Sequence, residues 1–525
     1  MSTEVLIAGA GPTGVMLALQ LARRGVRPLI IDRHSGAAQQ SRAMGVQART
    51  LEIYAKLGLA EAAIACGAIT RGFNLWSNQR HKAKVPVARA GEGLSAFPFV
   101  LMLGQDENER ILNDALAKFD VAVQWNTELL ALDQQPDQVI ATVRRPDGSV
   151  EKIHSRWLAG CDGSHSSVRG LCDIDFPGAP YEHVFFVADT TSTCGMVQNE
   201  LNAYLWRSGF HLFFPMRGDN RWRVIGILPP QLRERPKLTF AELVPELQRE
   251  VGGGLQFQDC RWFSTYRIQH RCAERFRDRR CFLLGDAAHI HSPMGAQGMN
   301  TGLQDAYNLA WKLALVVAGK ANESLLESFD LERRRVAQAL LRGTDRAFGL
   351  VVSDTLLSAI FRTWIMANVM RVAMRFARVQ RLAYRTVSQI GIRYRTSPLS
   401  KQVAPWPDGV PQPGDRFPWM LVTPLGEERP VDLFQRMDDR RFNLLILGDQ
   451  LAAPLPHAFV NVIVIPFDAR SEAPLRQAGL HQPCYFLVRP DGHVALAGTG
   501  AHMPEVTAYL AEHLQIGRAS CRERV

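Results

Sequence analysis

A glycine-rich turn near the start constrains this 525-residue chain more than any other feature. Val5 to Ala8 is a short apolar run, and Gly9-Ala10-Gly11-Pro12-Thr13-Gly14 follows it at once. Val15 to Arg24 then has helical periodicity, and a second apolar run, Val26 to Ile31, ends at Asp32. Strand, turn, helix and strand in that order make a βαβ opening, the start of an α/β domain with parallel strands. Three glycines at this spacing are weak evidence alone; their place between a strand and a helix carries the meaning. Gly9 permits the tight turn, Gly11 lets backbone approach a pyrophosphate, and Gly14 allows the helix to pack closely on the sheet. The helix N-terminus offers amide donors to phosphate, and Asp32, eighteen residues after Gly14, stands where a carboxylate accepts a ribose hydroxyl. The turn predicts a dinucleotide site without separating NAD from FAD.

Composition removes several classes. With 46% hydrophobic and 21% charged residues the chain is neither disordered, collagen-like nor a coiled coil, and its length suggests about three domains. Nine Cys without a C-x-x-C pair are too few for a disulfide scaffold or a zinc module. Neither a basic leader nor a signal segment precedes Val5, so the expected location is cytoplasmic. Residues 516–525 (IGRASCRERV) lack apolar periodicity and read as an adapter-derived tail, outside the fold. The net charge of +10 is not gathered beside aromatics or a known module, so no nucleic-acid partner is expected. Its one dense stripe is Arg371, Arg375, Arg378, Arg381 and Arg385, spaced along one side of a helix with Val372, Phe376, Val379 and Leu382 interleaved. A solvated face is the expectation there, against an anion or membrane-surface site. The most apolar region, Thr355 to Phe376, is broken by Arg362, Arg371 and Arg375, so no membrane span is expected.

Further along, helix and strand alternate from Leu112 to Val168, with a hairpin turn at Pro146-Asp147-Gly148. Between Tyr181 and Ile268 the text changes to strands, at His183 to Ala188, Tyr204 to Trp206, Phe210 to Phe214 and Trp222 to Leu228, which predicts an inserted sheet. A strand from Cys281 to Leu284 leads into a second Gly-rich segment and a helix from about Thr301 to Val317, and helical text continues to Ile390. After a Pro-rich linker, strands at Phe442 to Leu447, Val460 to Ile465, Tyr485 to Val488 and Val494 to Leu496 and a helix from Pro504 to Gln515 form a small α/β unit. The expected partition is a dinucleotide-binding domain over 1–175 and 276–345, a β-sheet substrate domain over 176–275, a helical segment over 346–404 and a C-terminal domain over 405–515.

Two further segments narrow the cofactor. One is Leu158-Ala159-Gly160-Cys161-Asp162-Gly163-Ser164-His165-Ser166-Ser167-Val168-Arg169; the other runs from Leu283 to Ala314 and contains Gly285-Asp286 and Gly298-Met299-Asn300. With the first turn they occur in the order found in the FAD-dependent aromatic hydroxylases, the single-component flavoprotein monooxygenases, which this sequence resembles over about residues 4 to 400. The resemblance implies a Rossmann-like FAD-binding domain with an inserted β-sheet domain, and a C-terminal region similar to the thioredoxin-like extension of some members. It implies FAD contacts at Gly9, Gly11, Pro12, Thr13, Gly14, Asp32, Arg33, Arg42, Gln105, Asp162, Gly285, Asp286, Pro293, Gly298, Met299 and Asn300. Asp286 would meet a ribityl hydroxyl, and the amides at Gly298 to Asn300 the flavin pyrimidine edge. The stretches Ser41-Arg42-Ala43 and Arg49-Thr50-Leu51-Glu52 resemble the family's flavin-lining segment. His289 and His291 lie inside the flavin motif without a carboxylate or Cys to complete a metal set, so a structural role and no metal are expected. Ser292 and Met294 depart from the family's pattern.

The activity implied is NAD(P)H- and O2-dependent hydroxylation of an aromatic, phenolic or polyketide-like small molecule through a flavin hydroperoxide, with NAD(P)H a transient co-substrate. A flavin-dependent halogenase shares the fold, but no W-x-W-x-I-P segment occurs; a flavoprotein that binds a ligand without oxygenating it is the other alternative. Dimerisation, as a homodimer, or packing is the expected use of the C-terminal domain, where Cys484 stands alone and cannot exchange disulfides. For the substrate wall the alternation of Phe210 to Pro215 puts His211 and Phe213 on one face and Leu212 and Phe214 on the other. The His211 face, with Pro293, is the expected pocket, because an imidazole there could orient a phenolic proton.

Overall fold

The computed structural model describes all residues except 39–40, 42, 194, 207–208, 234, 236, 253, 292–295, 353–360, 404–405, 449–458, 500–503 and 515–525; at 182, 344–352, 361–362 and 367 it describes the backbone alone. The opening forms as the sequence dictates: β1 (Ser2–Ala8), α1 (Pro12–Ala22) and β2 (Leu29–Ile31) make a right-handed parallel unit. β1 lies inside an eight-stranded sheet, parallel to both β2 (Leu6 opposite Leu29) and the strand Val150–Gly160 (Leu6 opposite Leu158). Cys281–Leu283 pairs parallel on the far side of Val150–Gly160, so the three motif segments end at one edge of one sheet. Val5, Leu6 and Ile7 are fully buried, so both faces of this strand are covered and it reads as a continuous apolar run. The helices Gln105–Ala117 and Gly298–Val317 pack on α1. The hairpin at Asp147-Gly148 joins Val139–Arg144 to Val150–Gly160 as expected.

A second eight-stranded sheet runs in the order His289–Ile290, Gln256–Cys272, Gly178–Thr193, Arg221–Ile227, Gly209–Pro215, Leu201–Trp206, Phe73–Ser77 and Arg80–Val85. Its four central strands match the expected ones. Two features differ from the sequence reading. Phe73–Ser77 and Arg80–Val85 leave the first half of the chain and join this sheet, the former parallel to Leu201–Trp206. The helix Phe240–Val251 covers one face, its Leu243, Leu247 and Val251 packing on Phe186, Phe213, Trp222 and Val224. The opposite face carries Phe185, Phe210 and Ile227, against which Met366 and Met370 pack.

The C-terminal region holds a five-stranded sheet in the order Lys401–Gln402, Val494–Gly498, Cys484–Val488, Phe442–Leu447, Val460–Ile465. Alternate residues serve two cores: Leu444, Ile446, Tyr485 and Leu487 join the large core that includes the first sheet, while Leu445, Leu447, Phe486 and Val488 close a core of their own. No helix among the described residues is long and apolar enough to cross a membrane.

Candidate active site

At the carboxyl ends of β1 and β2, where ligands of such sheets bind, two cavities of about 680 and 460 Å³ lie end to end. They share Gly11, Arg33, His34, Gln105, Cys161, Asp162 and Gly163, so they form one trough. Gly9 adopts a φ of +102°, and a side chain there would place its Cβ 2.3 Å from the Cys161 carbonyl oxygen. A Cβ on Gly11 would meet nothing within 4 Å, since that backbone faces the open trough at the start of α1. Space bounded by bare backbone and a helix N-terminus fits a pyrophosphate. Asp32 accepts hydrogen bonds from the Ala10 amide (2.7 Å) and the His34 amide (2.8 Å), which fixes its carboxylate at the trough's first end.

Gln105 starts its helix with its amide donating to Ser41 Oγ (2.8 Å), and its side-chain nitrogen donates to Glu109 Oε1 (2.8 Å). Burial pushes the Glu109 carboxyl above its usual range. Asp162 accepts from Ser166 Oγ (2.5 Å) and the Val168 amide (3.1 Å), capping the short helix Ser167–Leu171. Arg169 donates to the carbonyls of Ser164 and Ala287, each at 2.9 Å, and so ties the second motif segment to the third.

Asp286 is exposed to the second half of the trough, beside Thr13, Gly285, Gly298 and Met299. Behind it Asp305 is fully buried, accepting from the Gly285 amide (3.0 Å), pairing with His289 Nε2 (2.8 Å) and receiving Arg333 Nε (2.6 Å). Burial opposes ionisation, but Arg333 and His289 hold the Asp305 carboxyl below its usual range. His289 is therefore an anchor for the Gly285 turn; among the described residues no group of His, Cys, Asp and Glu could hold a metal ion.

Twelve of the expected cofactor residues line the trough: Gly9, Gly11, Pro12, Thr13, Asp32, Arg33, Gln105, Asp162, Gly285, Asp286, Gly298 and Met299. Gly14 lies behind it, where a Cβ would sit 1.9 Å from the Gly9 carbonyl oxygen. The Asn300 side chain is consumed internally, accepting from the Gln47 amide (2.9 Å) and Thr50 Oγ1 (2.7 Å) and donating to the carbonyls of Gly45 (2.7 Å) and Ala296 (2.8 Å). Arg42 and Pro293 lie outside the described residues. Arg49 and Glu52 point away from the trough: Arg49 donates to the Asp491 carbonyl (2.5 Å), and Glu52 pairs with Arg416.

The expected pocket face of Gly209–Pro215, with His211 and Phe213, does not line the trough. His211 is fully buried between the rings of Trp206 (centroids 5.4 Å apart) and Phe186 (5.8 Å), and neither of its ring nitrogens has a hydrogen-bond partner among the described residues. Burial lowers its pKa to about 3, so the ring is neutral and is not a base for substrate. Phe213 belongs to the core beneath Phe240–Val251. Alternation was read correctly, but it does not say which face a helix covers. Phe214 and Ile225 line the trough instead, within an apolar cluster of Met44, Met102, Leu212 and Met216.

Arg223 was also missed. It stands opposite Asp189 and Phe214 on the two neighbouring strands and is 2% exposed. Its guanidinium grips Asp189 through two bonds (2.6 and 2.7 Å), reaches Ser41 Oγ (3.2 Å) and lines the second cavity. The signal was an arginine on the same strand face as Ile225 in an otherwise apolar run; its partner depends on a pairing 34 residues away.

This geometry defines a class: a dinucleotide-binding oxidoreductase whose cofactor trough opens onto a separate β-sheet. A family model described as FAD binding domain matches residues 2–344. The chain is 34% identical to 6-methylpretetramide 4-monooxygenase of Streptomyces rimosus, over 97% of this chain and 94% of that protein. Its fold is similar to that of OxyS anhydrotetracycline hydroxylase from Streptomyces rimosus (TM-score 0.75, 28% identity, 98% and 99% of the two chains). It is also similar to aklavinone-11 hydroxylase in a ternary complex with FAD and aklavinone (TM-score 0.77, 25% identity, 97% and 98%). The chain belongs to this FAD-binding family of aromatic hydroxylases. It is an FAD-dependent monooxygenase, with NAD(P)H the electron donor typical of the family.

Proposed function

We propose that the chain hydroxylates a polycyclic phenolic, polyketide-like compound held against Phe214 and Ile225. The observation that carries this reading is the apolar cluster continuing the trough beyond Gly298, in which Phe214 and Ile225 stand beside Met44. An aromatic ring and thioethers suit a wide flat ring system by area burial and by sulfur–aromatic contact. The relatives named above are a 6-methylpretetramide monooxygenase, an anhydrotetracycline hydroxylase and a hydroxylase bound to aklavinone, which supports this reading.

In this reading Gly11 and the start of α1 hold the pyrophosphate of FAD, Asp32 its ribose and Asp286 its ribityl chain. The backbone amides at Gly298 to Asn300 would meet its pyrimidine edge, where a helix N-terminus favours negative charge. FAD, when bound, supplies the redox chemistry that activates O2 with electrons from NAD(P)H. The protein binds and orients: Arg223, locked by Asp189, places a fixed positive charge beside the flavin end, and the Phe214 wall excludes water from the reacting ring. Absence of W-x-W-x-I-P leaves the halogenase alternative without a motif. Residues 405–515 are read as a thioredoxin-like module whose use is packing, supported by the ion pairs that bury it, rather than a homodimer contact. The described cysteines are all free thiols, which supports a reducing, cytoplasmic compartment.

The test is a substrate panel in which NAD(P)H oxidation and product mass are followed together. Tetracyclic phenols should gain one oxygen with a kcat/KM at least about tenfold above that of simple phenol, as expected when extra rings find a pocket. Equal values, or hydroxylation of simple phenol alone, would overturn the polycyclic reading.

A further inference from the structure

The arginine stripe noted in the sequence has a wider setting. From residue 355 to residue 407 the chain contains eight Arg and one Lys but not a single Asp or Glu. The structure folds part of this segment into two helices, Ala367–Ala373 and Ala377–Val387. Met366 and Met370 face inward onto the substrate sheet, in the cluster that holds Phe210 and Leu212. Trp364, Val369, Val372 and Phe376 face outward, exposed at 65, 59, 49 and 60%, and Leu382 on the next helix is exposed at 67%. Arg371, Arg375, Arg378, Arg381 and Arg385 are exposed beside them. Trp364, Val369 and Val372 lie on the first helical stretch with Arg371, and Phe376, at the N-cap of Ala377–Val387, leads into Arg378, Arg381 and Arg385.

A large exposed apolar surface on a folded protein marks an interaction site, and the charge here selects the occupant. A second copy of the same face would bring two arginine rows together without an acidic residue between them. An anionic bilayer surface satisfies both components, taking Trp364 and Phe376 into the headgroup boundary while lipid phosphates pair with the guanidinium groups. With no helix among the described residues long and apolar enough to span, the segment would lie on the surface. We infer that this face docks the enzyme on anionic membranes. The segment would then have lipid on one side and the substrate sheet, through Met366 and Met370, on the other.

Co-sedimentation of the FAD-loaded protein with vesicles tests this. Vesicles with about 30% phosphatidylglycerol should pellet at least about fivefold more protein than pure phosphatidylcholine, and about 0.5 M NaCl should abolish the difference. Trp364→Ser with Phe376→Ser, and separately Arg371→Gln with Arg375→Gln and Arg378→Gln, should each lower pelleting about fivefold at unchanged FAD content and melting temperature. These variants keep the basic tail, so a loss cannot come from it. Equal pelleting on both vesicle types, or variants that pellet like wild type, would overturn the inference. So would sedimentation equilibrium showing a dimer that the same substitutions dissociate, because the face would then belong to a second copy.

Discussion

Which face of Gly209–Pro215 meets substrate turns on single residues. Phe214→Ala and Ile225→Ala should raise KM or peroxide release uncoupled from product, about tenfold, with FAD content unchanged, as expected when part of an aromatic or aliphatic wall is removed from a closed site. A peroxide assay beside product analysis checks this, and wild-type coupling in both variants would move the wall elsewhere. His211 makes a different prediction. Its pKa near 3 in the folded chain lies below the ordinary value of 6.5, so under acid the unfolded chain takes up a proton that the folded chain refuses. The resulting stability is complete above pH 6.5 and drains away as the pH falls toward 3, at about 1.4 kcal/mol per pH unit. Between pH 6.5 and 5 the wild type should lose about 2 kcal/mol more than His211→Leu in urea denaturation. Parallel pH dependences would contradict a buried neutral ring. The sequence showed the alternation around His211, but burial of one face is decided by Phe240–Val251, an element it did not reveal.

At the level of elements, what is local was legible. The βαβ unit was readable because the Gly9 turn, its helix and Asp32 are contiguous, and the later segments are continuous strand–turn–helix text. Gly9→Ala should bind FAD at least about tenfold more weakly, since its φ of +102° is strained for a side chain and the Cβ meets the Cys161 carbonyl. Asp286→Ala should lose a comparable share, as removal of a hydrogen-bonding carboxylate from the cofactor site does. Flavin absorbance after gel filtration measures both; full retention in both would place the cofactor elsewhere. What went unread was non-local or disguised. Phe73–Ser77 joins the second sheet through a partner more than 120 residues away, a pairing invisible to local pattern. The helix Phe240–Val251 carries a capping box, Thr239 with Glu242, which was a usable signal; Pro245 inside it reads as a breaker.

Across the whole molecule, a buried ionic cluster fastens the C-terminal sheet to the cofactor domain. Glu332 receives Arg489 (2.6 Å) and Lys312 (2.8 Å), Arg489 also grips Asp491, and Trp311 Nε1 donates to Asp491 (3.3 Å). Burial alone would raise the Glu332 carboxyl, yet the two cations hold it far below its usual range, while burial lowers Lys312 to about 8. Glu332→Gln strands these cations and should cost about 3–5 kcal/mol, read as a fall in melting temperature; a loss below about 1 kcal/mol would show the cluster to be dispensable. Glu332 and Arg489 lie 157 residues apart in sequence, so only the fold reveals the cluster. Cys484, its thiol pushed by burial to about 12, takes no part, and Cys484→Ser should leave turnover within about twofold.

The central claim is that this trough would hold FAD and that the FAD-loaded enzyme adds one oxygen atom to an aromatic ring. Its most direct measurement is turnover of the FAD-loaded protein under 18O2 with a tetracyclic phenol, counting NAD(P)H consumed against labelled product by mass spectrometry. The account predicts one 18O atom in the product for each NAD(P)H oxidised, and no product after removal of the flavin. NAD(P)H oxidation that yields only peroxide with every aromatic tested, or product whose new oxygen comes from water, would contradict it.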